Sequence, residues 1–251
     1  MGRRLTRRRL LSAVPAVGLG ATALHAAIPH SHGTAAAAAE HGAAAGAHGA
    51  ASGHNADNHA AFRGGEVDHR ANGFDPHAIL RDFDAGTTSR LAGGRTLREW
   101  TLVASEHEIE IAPGVRFTAW TYNGRIPGPT LRATEGDRLR ITFVNGGRHP
   151  HTIHFHGIHP AAMDGVAGIG DGEIAPGSQT VYEFDAAPYG LQLYHCHVRP
   201  LADHIAKGMH GAFIIDPKEA RPDADELVFV MNGFDTNFDR SNELYEVNTI
   251  G

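Results

Sequence analysis

Hydrophobic and polar residues alternate over much of the second half of the chain. Leu139, Ile141 and Phe143 interleave with Arg138, Arg140 and Thr142, the two-residue period of a strand with one face buried and the other wet. The same reading predicts strands from Val115 to Tyr122, Gln179 to Phe184, Leu191 to His197 and Gly211 to Ile215, separated by glycine and proline turns. Roughly six to eight such strands over about 120 residues suit an all-β fold, a Greek-key β-sandwich. A module of that size buries a core without disulfides. After Asp216-Pro217 and a polar stretch to Glu226, Leu227-Val228-Phe229-Val230-Met231 predicts the start of another strand.

Some residues in this pattern carry chemistry. His195-Cys196-His197 contains the only cysteine of the chain. Alternate side chains of a strand leave opposite faces, so the thiolate points one way and both imidazoles the other. Upstream, His154 and His156 share a face, while His151, three residues before His154, takes the opposite one. Downstream come Asp203-His204 and Gly208-Met209. A thiolate, two imidazoles and a weak axial thioether are the ligand set of a blue-copper electron-transfer centre. Cys196, His151, His204 and Met209 supply that set, which leaves His154, His156, His195 and His197 as four imidazoles on the reverse face. The plainer alternative is a buried cysteine acting as a small hydrophobe. His149, His159 and His210 sit beside these residues but break the parity, and read as surface or supporting side chains.

These residues carry a family resemblance. The chain resembles a multicopper oxidase, specifically the cupredoxin (plastocyanin-like) domain that holds type 1 copper. Tyr122-Asn123-Gly124-Arg125-Ile126-Pro127-Gly128-Pro129-Thr130 and Glu135-Gly136-Asp137 are similar to the family's first-strand signature. His154-Phe155-His156-Gly157, Ala175-Pro176-Gly177 and Tyr194-His195-Cys196-His197 are similar to further blocks, over roughly residues 95 to 217. The resemblance implies type 1 copper on Cys196, His151, His204 and Met209. It implies a type 2 ligand in His154 and type 3 ligands of a trinuclear cluster in His156, His195 and His197. Asp164, in Met163-Asp164-Gly165, resembles the family's acidic residue near the oxygen site, a plain turn aspartate before glycine being the alternative.

Two departures narrow the resemblance. The second type 1 histidine follows the cysteine by five residues in three-domain laccases, whereas His204 lies further on, across Val198-Arg199-Pro200-Leu201-Ala202-Asp203. That longer loop is closer to copper nitrite reductases and two-domain oxidases. Nitrite reductases, however, normally lack the second histidine of the His-Cys-His set and usually have aspartate where His154 stands. Two-domain oxidases with type 1 copper in the first domain fit best.

Composition then frames the module. The arginines of Arg3-Arg4 and Arg7-Arg8-Arg9 precede Leu10-Leu11 and a mild apolar run from Ala13 to Ile28, too short and too rich in glycine and alanine for a membrane span. Residues 1–27 read as a twin-arginine signal peptide, which implies export and a secreted or extracytoplasmic protein. Cleavage after Ala23 or Ala26 fits equally well. From about Ala26 to Arg63 the chain is alanine, glycine and histidine with little else, the composition of a disordered linker. Its His30, His32, His41, His48, His54 and His59 suit loose copper capture, or are incidental to a polar spacer. Residues 64 to 98, with Phe74, Ile79, Leu80 and Phe83 among charges, predict a short helix or a strap against the barrel. Residues 28–94 are thus linker and strap, 95–220 the cupredoxin domain, and 221–251 the opening of a second, truncated cupredoxin domain. A single cysteine excludes an internal disulfide, and the net charge of −6 argues against nucleic acid as a partner.

The resemblance implies an oxidoreductase in which a small reductant, a phenol or a metal ion, reduces type 1 copper. Cys196 then passes electrons to His195 and His197, and the trinuclear cluster reduces O2 to water. A trinuclear cluster of this family draws eight histidines from two domains. With four here, the sequence is either a fragment or is completed by a partner chain. A truncated two-domain protein is expected, a homotrimer in its full-length form. The alternatives are a copper nitrite reductase and a non-enzymatic blue-copper electron carrier.

Overall fold

In a computed structural model of the protein, residues 65–249 are described. The signal-peptide reading of residues 1–27 and the histidines of the Ala/Gly/His-rich stretch lie outside them. Twelve strands dominate: β1 (Phe83–Asp84), β2 (Thr87–Arg90), β3 (Thr96–Ala112), β4 (Val115–Tyr122), β5 (Thr130–Thr134), β6 (Arg138–Asn145), β7 (His154–Phe155), β8 (Gln179–Asp185), β9 (Gly190–His195), β10 (His210–Asp216), β11 (Met231–Phe234) and β12 (Leu244–Val247). Three short helices join them: α1 (His69–Asn72), α2 (Pro76–Ile79) and α3 (Leu201–Ala206). One sheet runs β1-β5-β10-β9-β7, the other β2-β3-β6-β8 with β4 on β3, and β11-β12 forms a separate hairpin. This is the expected cupredoxin-like β-sandwich.

β6 shows why the sequence folds this way. Its Leu139, Ile141 and Phe143 are fully buried between the sheets, as the alternation predicts. Its outward arginines are held by β8 and β3: Arg138 and Arg140 pair with Glu183 at 3.0 and 2.9 Å, and Arg140 also with Glu99 at 3.0 Å. These pairs are part-exposed and screened by solvent, so they add little to stability. Apolar burial does most of the work, at about 25 cal/mol per Å². The main core packs Trp100 edge-on to Phe213 at 5.6 Å and Phe155 edge-on to Tyr182 at 5.5 Å. A second cluster joins Ile109, Ile111 and Phe117 of β3 and β4 to Phe234 and Leu244 of the hairpin.

The structure departs from the sequence reading in three places. Residues 64–98 contain both helix and strand: α1 and α2 precede β1 and β2, which pair with β5 and β3. The strand read at Leu227–Met231 begins only at Met231. Before it, the Val228 N–H donates to Leu80 O at 3.0 Å and the Val230 N–H to Asn248 Oδ1 at 2.8 Å, so the backbone is satisfied without a ladder. The stretch after Cys196, read as a long loop, winds into α3. Among the described residues no helix is long and apolar enough to cross a membrane.

Candidate metal centre

β9 sets the geometry. Tyr194 lies in the core, with its ring over its cross-strand partner Gly211 and its hydroxyl donating to Pro129 O at 2.7 Å. A Cβ on Gly211 would stand 2.4 Å from that ring, so only glycine admits it. The strand register places His154 opposite His195 and Phe155 opposite Tyr194. Cys196 is fully buried. Its N–H donates to Met209 O at 3.0 Å, and the Met209 N–H donates to His204 O at 3.2 Å, which holds the three residues together through the backbone. Met209 is itself fully buried in the main core.

α3 accounts for the extra residues between cysteine and histidine. It turns the chain so that His204 Nδ1 comes 3.2 Å from Cys196 Sγ. Gly208, at φ 115°, then lets the chain pass Ile126, whose Cδ1 would lie 2.2 Å from any Cβ there. His151, bridged to Ile174, brings its Nδ1 to 3.8 Å from the same sulfur and 3.3 Å from His204 Nδ1. The donor atoms of His151, Cys196 and His204 all lie within 4.8 Å of one another. Burial holds His151 and His204 down to a pKa of about 4, so both imidazoles are neutral at pH 7 with a lone pair to give. Burial also pushes the Cys196 thiol up, so its thiolate forms readily only beside a cation. Two neutral nitrogens and a soft sulfur converging in a dry pocket suit copper.

Trp120 covers this pocket, edge-on to His204 at 4.7 Å and to His151 at 5.3 Å. The exposed His149 stacks on Trp120 at 4.5 Å, and its Nδ1 lies 2.8 Å from Glu106 Oε1. Sequence reasoning missed Trp120 and Glu106 because no motif contains them. They are opposite one another across the β3–β4 pairing, a relation only the register reveals.

On the reverse face, His154, His156 and His195 bring ligand nitrogens within 4.8 Å of one another. His154 Nδ1 lies 2.8 Å from Asp164 O and 3.0 Å from its Oδ1, and His195 Nδ1 lies 2.8 Å from Cys196 O. Each then carries its proton on Nδ1 and leaves Nε2 as the free donor. His156 Nε2 and His195 Nε2 face each other at 2.7 Å, a contact that needs a proton or a cation between the two nitrogens. Burial lowers His195 to about 4 and also lowers His156, so a neutral His156 can donate its Nε2–H to the His195 Nε2 lone pair. His197 stands outside this trio, its ring 5.1 Å from that of His154 and 5.8 Å from that of His195. His159 joins the same neighbourhood, with Nε2 3.2 Å from Asp164 Oδ1. The face is open, with His156 exposed and His154 and His197 half-buried.

Residues 104–220 match the family model described as multicopper oxidase. A crystal structure described as a multicopper oxidase superposes with a TM-score of 0.70 at 63% identity, over 71% of this chain and 63% of that one. The copper nitrite reductase of Nitrosomonas europaea superposes with a TM-score of 0.51 at 34% identity, over 57% of this chain and 51% of that one. In sequence, the copper-containing nitrite reductase of Neisseria meningitidis serogroup A is 32% identical over 160 residues, 63% of this chain and 38% of that protein. The chain therefore spans well under half the length of that relative. Residues 104–220 are thus similar to multicopper oxidases, proteins that use copper.

Proposed function

We propose that the protein is a copper-dependent oxidase that draws single electrons from a small reductant and delivers them to O2. Cys196, His151, His204 and Met209 hold type 1 copper. His154 serves as the type 2 ligand, and His156, His195 and His197 as type 3 ligands. The observation that carries this reading is the reversal of side-chain direction across His195-Cys196, which puts a dry sulfur site and an open histidine site on adjacent residues at the end of β9. Copper, when bound, supplies the one-electron chemistry, and the chain supplies position and ligand softness. The peptide from Cys196 to His195 is the shortest covalent route between the two faces. Asp164 fixes the tautomer of His154 and places a carboxylate beside the open face, where protons are consumed. The four histidines make half of a trinuclear site, which a second histidine-bearing module completes, and the expected assembly is a homotrimer.

A second reading, nitrite reduction, is favoured by the type 1 loop and by the nitrite reductases among the relatives. His154 and His197 stand against it. Copper content and turnover of the assembled protein separate the readings. Four coppers per complete unit with oxygen consumption support the oxidase. About two coppers with nitrite turnover support the reductase, and one copper with neither activity leaves an electron carrier.

A further inference from the structure

The β3–β4 register sets Glu106 opposite Trp120, and the chain after β6 folds back against β3 to meet them. The Gly146 N–H donates to Ala104 O at 3.0 Å, and the Arg148 N–H to Glu106 Oε1 at 2.7 Å. His151, a few residues on, is closed to solvent, with Nδ1 on the side of Cys196 Sγ and Nε2 on the side of Glu106. That Nε2 is buried and makes no hydrogen bond, and Glu106 Oε1 stands 3.9 Å from it, just out of reach. A Cβ on Gly147 would lie 3.1 Å from both of these atoms, so glycine there keeps the two groups uncrowded. Among the described residues no lysine or arginine pairs with the Glu106 carboxylate within 4 Å, which leaves its charge to His149 and His151.

We propose that Glu106 is a positioning residue of the sulfur site. Its carboxylate accepts a hydrogen bond from His151 Nε2–H, which keeps the Nδ1 lone pair for the metal, and its charge favours the cupric over the cuprous ion. The proposal rests on the type 1 reading of Cys196, His151 and His204. A neutral imidazole has one N–H and one lone pair. For Nδ1 to give its lone pair beside Cys196, the proton must sit on Nε2, where a buried N–H without an acceptor is costly. Trp120, packed edge-on to the same ring, is a donor only and cannot serve. Glu106 can, because a shift of about 1 Å brings the pair to hydrogen-bond length. A carboxylate behind a ligand imidazole fixes the ring's orientation and makes it a stronger donor. Its negative charge also attracts a doubly charged ion more than a singly charged one.

The test begins with the copper-free full chain at neutral pH, where ring-nitrogen NMR reads the tautomer and a His151→Asn variant assigns the signal. In the wild type the proton is expected on Nε2. Glu106→Leu, similar in size but without an acceptor, should move at least part of it to Nδ1. Glu106→Gln keeps an acceptor oxygen and should hold it on Nε2. In the copper-loaded protein, redox titration of the blue band separates charge from position. Glu106→Gln should weaken cupric binding about ten-fold more than cuprous binding, which is a rise in potential of about 59 mV for a one-electron couple. Glu106→Leu should raise it at least as far. A wild-type tautomer in Glu106→Leu, or an unchanged potential in Glu106→Gln, would overturn the proposal. Because the spectra use no copper, a chain whose tautomer follows Glu106 but which never turns blue would count against the copper reading and leave the hydrogen bond standing.

Discussion

The two faces of β9 solve opposite problems with nearly the same side chains. On one, Cys196, His151 and His204 are closed in core, their donor atoms already converged and their imidazoles held neutral. On the other, His154, His156 and His195 converge below an open surface, with His156 exposed, His154 and His197 half-buried and His195 buried. A closed site fixes geometry and excludes water, as a centre that only changes oxidation state requires. An open one leaves room for further ligands and for a reactant. The sulfur ligand and the closure above it separate the two sites.

That contrast can be broken at either face. Cys196→Ser should have the largest effect, abolishing the blue absorption and all electron entry, read by visible spectroscopy and single-turnover reduction. Copper uptake on the histidine face should survive it. His156→Ala should do the reverse, retaining the blue band while oxygen consumption by the assembled protein disappears. If that variant also lost its colour, the faces would not be separable. Acid tests the closure itself. An ordinary imidazole titrates near 6.5, while burial holds His151, His195 and His204 at about 4. Below pH 6.5 the unfolded chain takes up protons that the folded chain refuses. The contribution of these imidazoles to the stability of the copper-free protein should therefore be lost between about pH 6.5 and pH 4. Urea unfolding across that range measures it, and a flat profile would mean that these imidazoles are solvated.

Smaller effects sharpen the picture of the closed site. Gly208→Ala should cost about 1–3 kcal/mol in urea unfolding, the usual penalty for overpacking, since its Cβ meets Ile126. Met209→Leu should raise the type 1 reduction potential while keeping the blue colour, because it removes a weak axial donor from a site whose strong ligands remain. An unchanged potential would remove Met209 from the ligand set.

Local parity made much of the site legible. The reversal at His195-Cys196 depends only on strand period, and β6 and β8 follow their alternation because each buries one face against one core. β3 resisted because its pairing changes along its length. Leu97 to Ala104 lie beside β6, and Ala104 to Ala112 beside β4, so no single period describes which side chains are buried. α3 is only six residues long and has no side-chain cap, which leaves too little pattern to announce a helix. The segment 227–231 misled for the opposite reason. Leu227, Phe229 and Met231 alternate as a strand would, yet all three are exposed and the backbone is tied elsewhere. Trp120 and Glu106 come to the closed site from far off in sequence, so only the assembled fold brings them together.

Tyr194 over Gly211 works as a key in a lock for the whole strand. A slide of β9 by one residue would drive that ring into a side chain and pull its hydroxyl from Pro129. Register thus fixes where along the strand both candidate sites fall.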